Sequence, residues 1–209
     1  MASCYGLILA GGLSSRMGTD KAQLRRNGQT MLEYNQVLFE SLGMKALISG
    51  GEKGIPDLFP QLGPLSGILT AIKHCESEQL DMDALLITPV DMPLLTSPLL
   101  EKLVNTGERA GLATYYTDCY LPLYLPVNSE VRDYLEQLFQ GEEKSERQNG
   151  GRGDVGREQQ VSFKKSPRSI KKMLATLNAK ELAVEDTQAL SNINTPEEWD
   201  RAKQLINPD

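Results

Sequence analysis

Histidine is almost missing from this chain: His74 is the only one in 209 residues. It falls late in a predicted helix and reads as a surface or helix-end residue, so no histidine base stands near any motif. Cysteine is scarce as well. Cys4, Cys75 and Cys119 are odd in number and widely spaced, which suits neither a disulfide framework nor a zinc site and fits a reducing compartment. No apolar run is long enough to span a bilayer, and no basic segment followed by an apolar one opens the chain. The expectation is a cytoplasmic protein with no membrane partner. An excess of positive charge is also lacking: the net charge is −6, which argues against non-specific nucleic-acid binding.

What is present is ordinary in bulk. Hydrophobic residues at 40% and charged residues at 24% describe a globular chain. At this length a single domain over 1–209 is expected, with a core of useful size. The unusual stretch comes early. The apolar run Tyr5 to Ala10 has the length of a buried parallel strand. It leads into Gly11, Gly12, Ser14, Ser15, Arg16, Gly18, Asp20 and Lys21. Glycines let backbone N–H groups approach a ligand, and successive N–H groups in a tight loop form a concave anion site. Arg16 and Lys21 add full charges suited to phosphate. The loop supplies neither the Walker pattern nor the dinucleotide fingerprint, so it reads as a different polyphosphate loop. An ordinary glycine-rich turn with surface charges explains fewer of its residues. In an acidic protein the cluster Arg16, Lys21, Arg25 and Arg26 would supply the local positive field.

The remainder alternates strand and helix. A helix over Thr30 to Leu42 and a strand over Lys45 to Ser49 complete a βαβ unit. Pro64 suits the first position of a helix running to Cys75. Gly67 within it costs stability relative to Ala, tolerable where something packs close to the backbone. Ala84 to Thr88 is the clearest central strand, and Asp91 follows its carboxyl end. Ligands of open α/β sheets bind there, and Mg²⁺ takes one or two protein carboxylates plus phosphate oxygens. Asp91 is therefore the expected Mg²⁺ ligand; Thr96 and Ser97 already offer caps for the helix that follows. Leu99 to Val104 is helical. Gly111 to Tyr116 and Tyr120 to Leu125 form a hairpin, in which Pro122 and Pro126 would weaken the second strand or put it on an edge. A helix over Val127 to Phe139 precedes a polar, glycine-rich segment, 141–167, expected to be a mobile insertion loop. Ser169 to Leu177 returns to helix, Glu181 to Val184 is a short strand, and Thr195 and Pro196 open a last helix. Asn192 and Asn194 alternate before it and share one face of an extended segment. They either bind a ligand or make local turns. The fold class that results is α/β: a doubly wound, mostly parallel sheet with helices on both faces.

The run Leu9-Ala10-Gly11-Gly12-x-Ser14-x-Arg16-Met17-Gly18-x-Asp20-Lys21 resembles the opening pattern of the molybdenum cofactor guanylyltransferases. Gly63-Pro64-Leu65-x-Gly67, Asp91-x-Pro93 and Asn192-x-Asn194-Thr195-Pro196-Glu197 follow in that family's order. The resemblance covers nearly the whole chain except the segment after Gln140. It implies a Rossmann-like nucleotidyltransferase fold and transfer of GMP from GTP to the phosphate of molybdenum-molybdopterin, releasing pyrophosphate. It implies Mg²⁺ on Asp91 and catalytic roles for Arg16, Lys21 and Asp91. Leu9, Ala10, Gly11, Gly12, Gly18, Lys21, Asp57, Gly67 and Asp91 would contact the nucleotide, and Asn192 and Asn194 the acceptor. Gly11-Gly12 favours guanine, since relatives using CTP more often carry Leu-Ala-Ala-Gly. Molybdoenzyme apoproteins and cofactor-synthesis proteins come into view as partners. The rival readings are a cytidylyltransferase or sugar-phosphate nucleotidyltransferase of the same fold, and a nonenzymatic cofactor carrier. A carrier would have no use for a triphosphate site built from Arg16, Lys21 and Asp91.

Overall fold

The computed structural model describes residues 3–11, 20–51, 53–148 and 168–206, with backbone alone at 141–148. Its main sheet has six strands. They are β1 (Cys4–Leu9), β4 (Ala46–Ser49), β5 (Ala84–Pro89), β6 (Thr114–Tyr116), β7 (Cys119–Pro126) and β8 (Lys180–Leu182), in the order β4-β1-β5-β7-β6-β8. β1 runs parallel to β4 and to β5, and β6 runs parallel to β8. β7 alone is antiparallel to both its neighbours. The chain leaves β1 for β4 on one side and returns to β5 on the other. That reversal opens a crevice at the carboxyl ends of β1 and β5.

Helices cover both faces, as the alternation of buried residues along the strands requires. Leu7, Leu85, Ile87, Leu123 and Leu125 pack with α2 (Pro64–Ser77), α4 (Ser129–Gln148) and α5 (Ile170–Thr176). Ile8, Leu86 and Tyr124 pack with α1 (Met31–Ser41), α3 (Ser97–Ala110) and α6 (Pro196–Ile206). The caps follow the local sequence. Thr30 and Glu33 form a reciprocal capping box on α1, and Gly111 at φ 64° closes α3. Thr195 and Glu198 exchange the same pair of side-chain contacts at the start of α6. The three cysteines are all free thiols, and burial pushes Cys4 up to about 12. His74 is half-exposed in the last turn of α2. No helix among the described residues is long and apolar enough to cross a membrane.

Two expectations are corrected. β7 is not an edge strand, for it lies between β5 and β6. Its prolines are tolerated because of where they fall: Pro122 sits in the break of the β6–β7 register between Leu123 and Cys119, and Pro126 ends the strand. The helix read as ending at Phe139 runs on to Gln148. Residues 141–148, counted as loop from their polarity, hold Glu, Lys, Arg and Gln, which are good helix formers. The rest of the expected insertion loop, 149–167, lies outside the described residues. A small hairpin of β2 (Arg25–Arg26) and β3 (Gln29–Thr30), turned at Asn27 and Gly28, is an addition the pattern reading did not contain.

Candidate active site

The crevice at the carboxyl ends of β1 and β5 is a cleft of about 580 Å³. Leu9, Ala10 and Gly11 line it from the end of β1, Ser49 from the end of β4, and Pro89, Val90 and Asp91 from the end of β5. Asp57, Gln61, Gly63, Pro64, Gly67, Asp20, Lys21 and Leu121 complete its lining. Of the residues expected at the site, Leu9, Ala10, Gly11, Lys21, Asp57, Gly67 and Asp91 therefore meet in one place. Gly12, Arg16 and Gly18 lie outside the described residues.

The centre of the cleft is a contact between distant parts of the chain. Lys21 stands on a single 3-10 turn capped by Asp20, whose carboxylate accepts from the Ala22 N–H. Its Nζ donates to Asp91 Oδ2 at 2.8 Å and to Asn194 Oδ1 at 2.9 Å. The backbone carbonyl of Asp91 accepts from the Ile193 N–H at 2.9 Å. Ile193 is buried between two exposed asparagines, so the alternation read from the sequence holds. The asparagines differ, however. Asn194 reaches Lys21, whereas Asn192 is exposed.

Asp91 Oδ1 is buried and has no hydrogen-bond partner among the described residues. A buried carboxylate oxygen without a donor is costly unless something else satisfies it. No group of three or more metal-ligating side chains exists among the described residues. One orphaned carboxylate oxygen in an open cleft that also holds a lysine suits Mg²⁺, which retains waters and takes phosphate oxygens. It does not suit a cation that needs an all-protein cage.

Arg25 and Arg26 take no part. Arg25 donates to the carbonyl of Gly28 in its own hairpin, while Arg26 donates to the Pro93 carbonyl and lies over the Tyr34 ring. Among the described residues of the expected cationic cluster, Lys21 is the member that lines the cleft. Ser49 also lines the cleft, and the sequence reading did not single it out. It is buried, and its hydroxyl donates to Asp57 Oδ1 at 2.8 Å, which fixes the carboxylate at the cleft wall. The same strand-end rule that found Asp91 points to Ser49.

Two glycines set the shape of this wall. A Cβ on Gly50, at φ 76°, would lie 2.6 Å from the Gly11 Cα, so the loops after β1 and β4 touch backbone to backbone. A Cβ on Gly67 would lie 2.7 Å from Ser49 Oγ and 2.9 Å from Leu9 Cδ2. Gly67→Ala in a helix normally gains about 1 kcal/mol in propensity. Overpacking costs about 1–3 kcal/mol, and Ser49 is not free to move because it holds Asp57. The expected result is a net loss near 1 kcal/mol, or a Tm lower by about 2–4 °C. Calorimetry decides it: a raised Tm would mean that α2 does not need to sit this close.

Comparison with known proteins bears on the family and the fold. The family model described as a MobA-like NTP transferase domain matches residues 6–152. The chain is 34% identical over 200 residues to the molybdenum cofactor guanylyltransferase of Xanthomonas euvesicatoria pv. vesicatoria (strain 85-10), covering 94% of this chain and 92% of that one. It is 27% identical over 225 residues to the probable molybdenum cofactor guanylyltransferase of Bacillus mycoides (strain KBAB4), with 98% of each covered. Among solved structures, molybdopterin-guanine dinucleotide biosynthesis protein A from Archaeoglobus fulgidus matches with a TM-score of 0.68 at 23% identity, over 96% of this chain and 97% of that one. At that identity the likeness speaks for the fold.

The sheet is doubly wound with a Lys21–Asp91 pair at its switch point, and the matches give the class of enzyme, a nucleotidyltransferase. Within it, the chain belongs to the molybdenum cofactor guanylyltransferase family of MobA-like NTP transferases.

Proposed function

We propose that the protein transfers GMP from GTP to the phosphate of molybdenum-molybdopterin. An acceptor phosphate oxygen bonds to the α-phosphorus, the bond from that phosphorus to the bridging oxygen breaks, and pyrophosphate leaves. The observation that carries this reading is the contact of Lys21 with both Asp91 and Asn194. It joins the nucleotide loop, the strand-end carboxylate and the closing Asn-x-Asn segment at one ammonium group.

The chemistry asks little of proton transfer. A phosphate monoester has a second pKa near 6 and is largely dianionic at neutral pH, so it attacks without a general base. That agrees with a cleft lined by no histidine. Catalysis then consists of positioning and charge stabilisation. Asp91 would hold Mg²⁺, which supplies neutralisation of triphosphate charge when bound. Lys21, together with Arg16, stabilises the negative charge that grows on the departing pyrophosphate. Leu9, Ala10 and Gly11, with Gly12 and Gly18 of the same loop, present backbone groups to the nucleotide. Asp57, fixed by Ser49, and Gly67 line the same cleft. Asn194 orients the acceptor phosphate side through the lysine it already touches, and Asn192 extends the same face.

Thermal-shift measurements with GTP, CTP, ATP and UTP, each with and without Mg²⁺, test the nucleotide. GTP with Mg²⁺ at about 100 times its dissociation constant is expected to add about 2.7 kcal/mol, and CTP far less. A larger shift with CTP would overturn the guanine assignment and leave a cytidylyltransferase as the better reading.

A further inference from the structure

The hairpin of β6 and β7 carries a feature that the cleft described above does not use. Tyr115 pairs with Leu123, but the next residue, Tyr116, pairs with Cys119. Tyr120, Leu121 and Pro122 are therefore extra residues on β7. Such bulges bend a strand and re-aim its side chains, and they are common beside active sites. In an unbroken strand Tyr120 and Leu121 would point to opposite faces. Here both pack against the same cluster, on the face covered by α2, α4 and α5.

Tyr115 packs against that cluster too, and its ring lies 5.8 Å from that of Tyr120, tilted by 40°. Both tyrosines are half-buried. The bulge stands at the carboxyl end of the sheet. Leu121, the residue after Tyr120, lines the same cleft as Pro89 and Asp91. The charges around Tyr115 are mixed, with Lys171 against Glu181 and Asp118. What the pair offers a ligand is therefore aromatic surface rather than field. Leu121 lines the cleft from the β7 side, and the tyrosines stand next to it, on the preceding residue of β7 and on the neighbouring β6.

We propose that Tyr120, backed by Tyr115, is the stacking platform for the planar part of the acceptor's pterin, while the acceptor's phosphate reaches toward Asp91 and Lys21. This rests on the acceptor reading given above. A planar heterocycle stacks on an aromatic ring without regard to its exact edge pattern, and one such contact is worth about tenfold or more in affinity. Tyr120 is the residue that touches substrate; Tyr115 is a positioning residue that holds its ring.

The test uses the full chain with GTP, Mg²⁺ and molybdopterin. Tyr120→Ala is expected to raise the apparent constant for molybdopterin about tenfold, with kcat and the GTP thermal shift within twofold of the parent. A fluorescent pterin monophosphate should be quenched on binding to the parent and to Tyr120→Phe, and not by Tyr120→Ala. Tyr115→Ala should give a smaller change in the same direction, restored by Tyr115→Phe. If Tyr120→Ala does not fold, Tyr120→Leu retains volume without a ring and carries the same expectation. An unchanged acceptor constant in a folded ring-free variant overturns the platform while leaving the function intact. A parent protein that binds GTP with Mg²⁺ yet transfers nothing to molybdopterin overturns the acceptor reading, and the platform with it.

Discussion

Asp91→Asn is expected to lower kcat/KM at least about a hundredfold, which is the scale set by removing one preorganised charge-stabilising group from an active site. The substitution keeps the shape of the side chain and removes its charge. Asp91 Oδ1 is buried without a donor, so its value to the protein lies in what it binds rather than in a hydrogen bond that holds the fold. Asp91 Oδ2 meets Lys21, a pair with side chains 17% and 16% exposed. The amide that replaces the carboxylate keeps an oxygen able to accept from Lys21 Nζ, so the ammonium retains a hydrogen bond. The backbone contact from Ile193 to the Asp91 carbonyl is untouched by the change. Tm should accordingly stay within about 2–4 °C of the parent. Steady-state rates over a range of Mg²⁺ concentrations, with calorimetry beside them, check both halves. Normal Mg²⁺-dependent turnover in the variant would move the metal ligand elsewhere.

Lys21→Met should lose about a hundredfold to a thousandfold in kcat/KM, and the thermal shift with GTP should shrink. The methionine fills the space of the lysine stem but brings no charge to the triphosphate. Because Lys21 and Asp91 touch at 2.8 Å, the two effects are not independent. The doubly substituted protein should be impaired by much less than the product of the single losses, since each single change leaves one charge of the pair without its partner. Turnover of Lys21→Met within about threefold of the parent, or fully multiplicative losses in the double variant, would remove the pair from the mechanism.

Much of this site was legible because its parts carry local rules. The loop from Gly11 to Lys21 is dense in groups that serve one purpose, and Asp91 follows the clearest strand of the chain. Thr195, Pro196 and Glu198 announce a helix start whether or not the preceding asparagines bind anything. What was misread depended on neighbours distant in sequence. Pro122 and Pro126 argued for an edge strand, yet β7 is interior because a register break takes up one proline and the strand end the other. Residues 141–148 look too polar to fold alone, yet they continue a helix whose earlier turns Val131, Leu135 and Phe139 anchor in the core. Arg25 and Arg26 added charge on paper, but their guanidinium groups satisfy carbonyls of Gly28 and Pro93.

The sequence by itself determined the alternation of strand and helix, the glycine-rich loop after the first strand and the strand-end carboxylate. Periodicity, caps and glycine spacing act over a few residues and need no tertiary contact to be seen. Only the tertiary structure decided which of those residues meet. Lys21, Asp91 and Asn194 are separated by 70 and 173 positions from the lysine outward, and their contact exists because β1 and β5 are neighbours across the switch point and α6 returns its leading segment to that end of the sheet. Such pairings come from strand order and register, which follow from the packing of two helical layers on one sheet rather than from any short stretch of chain.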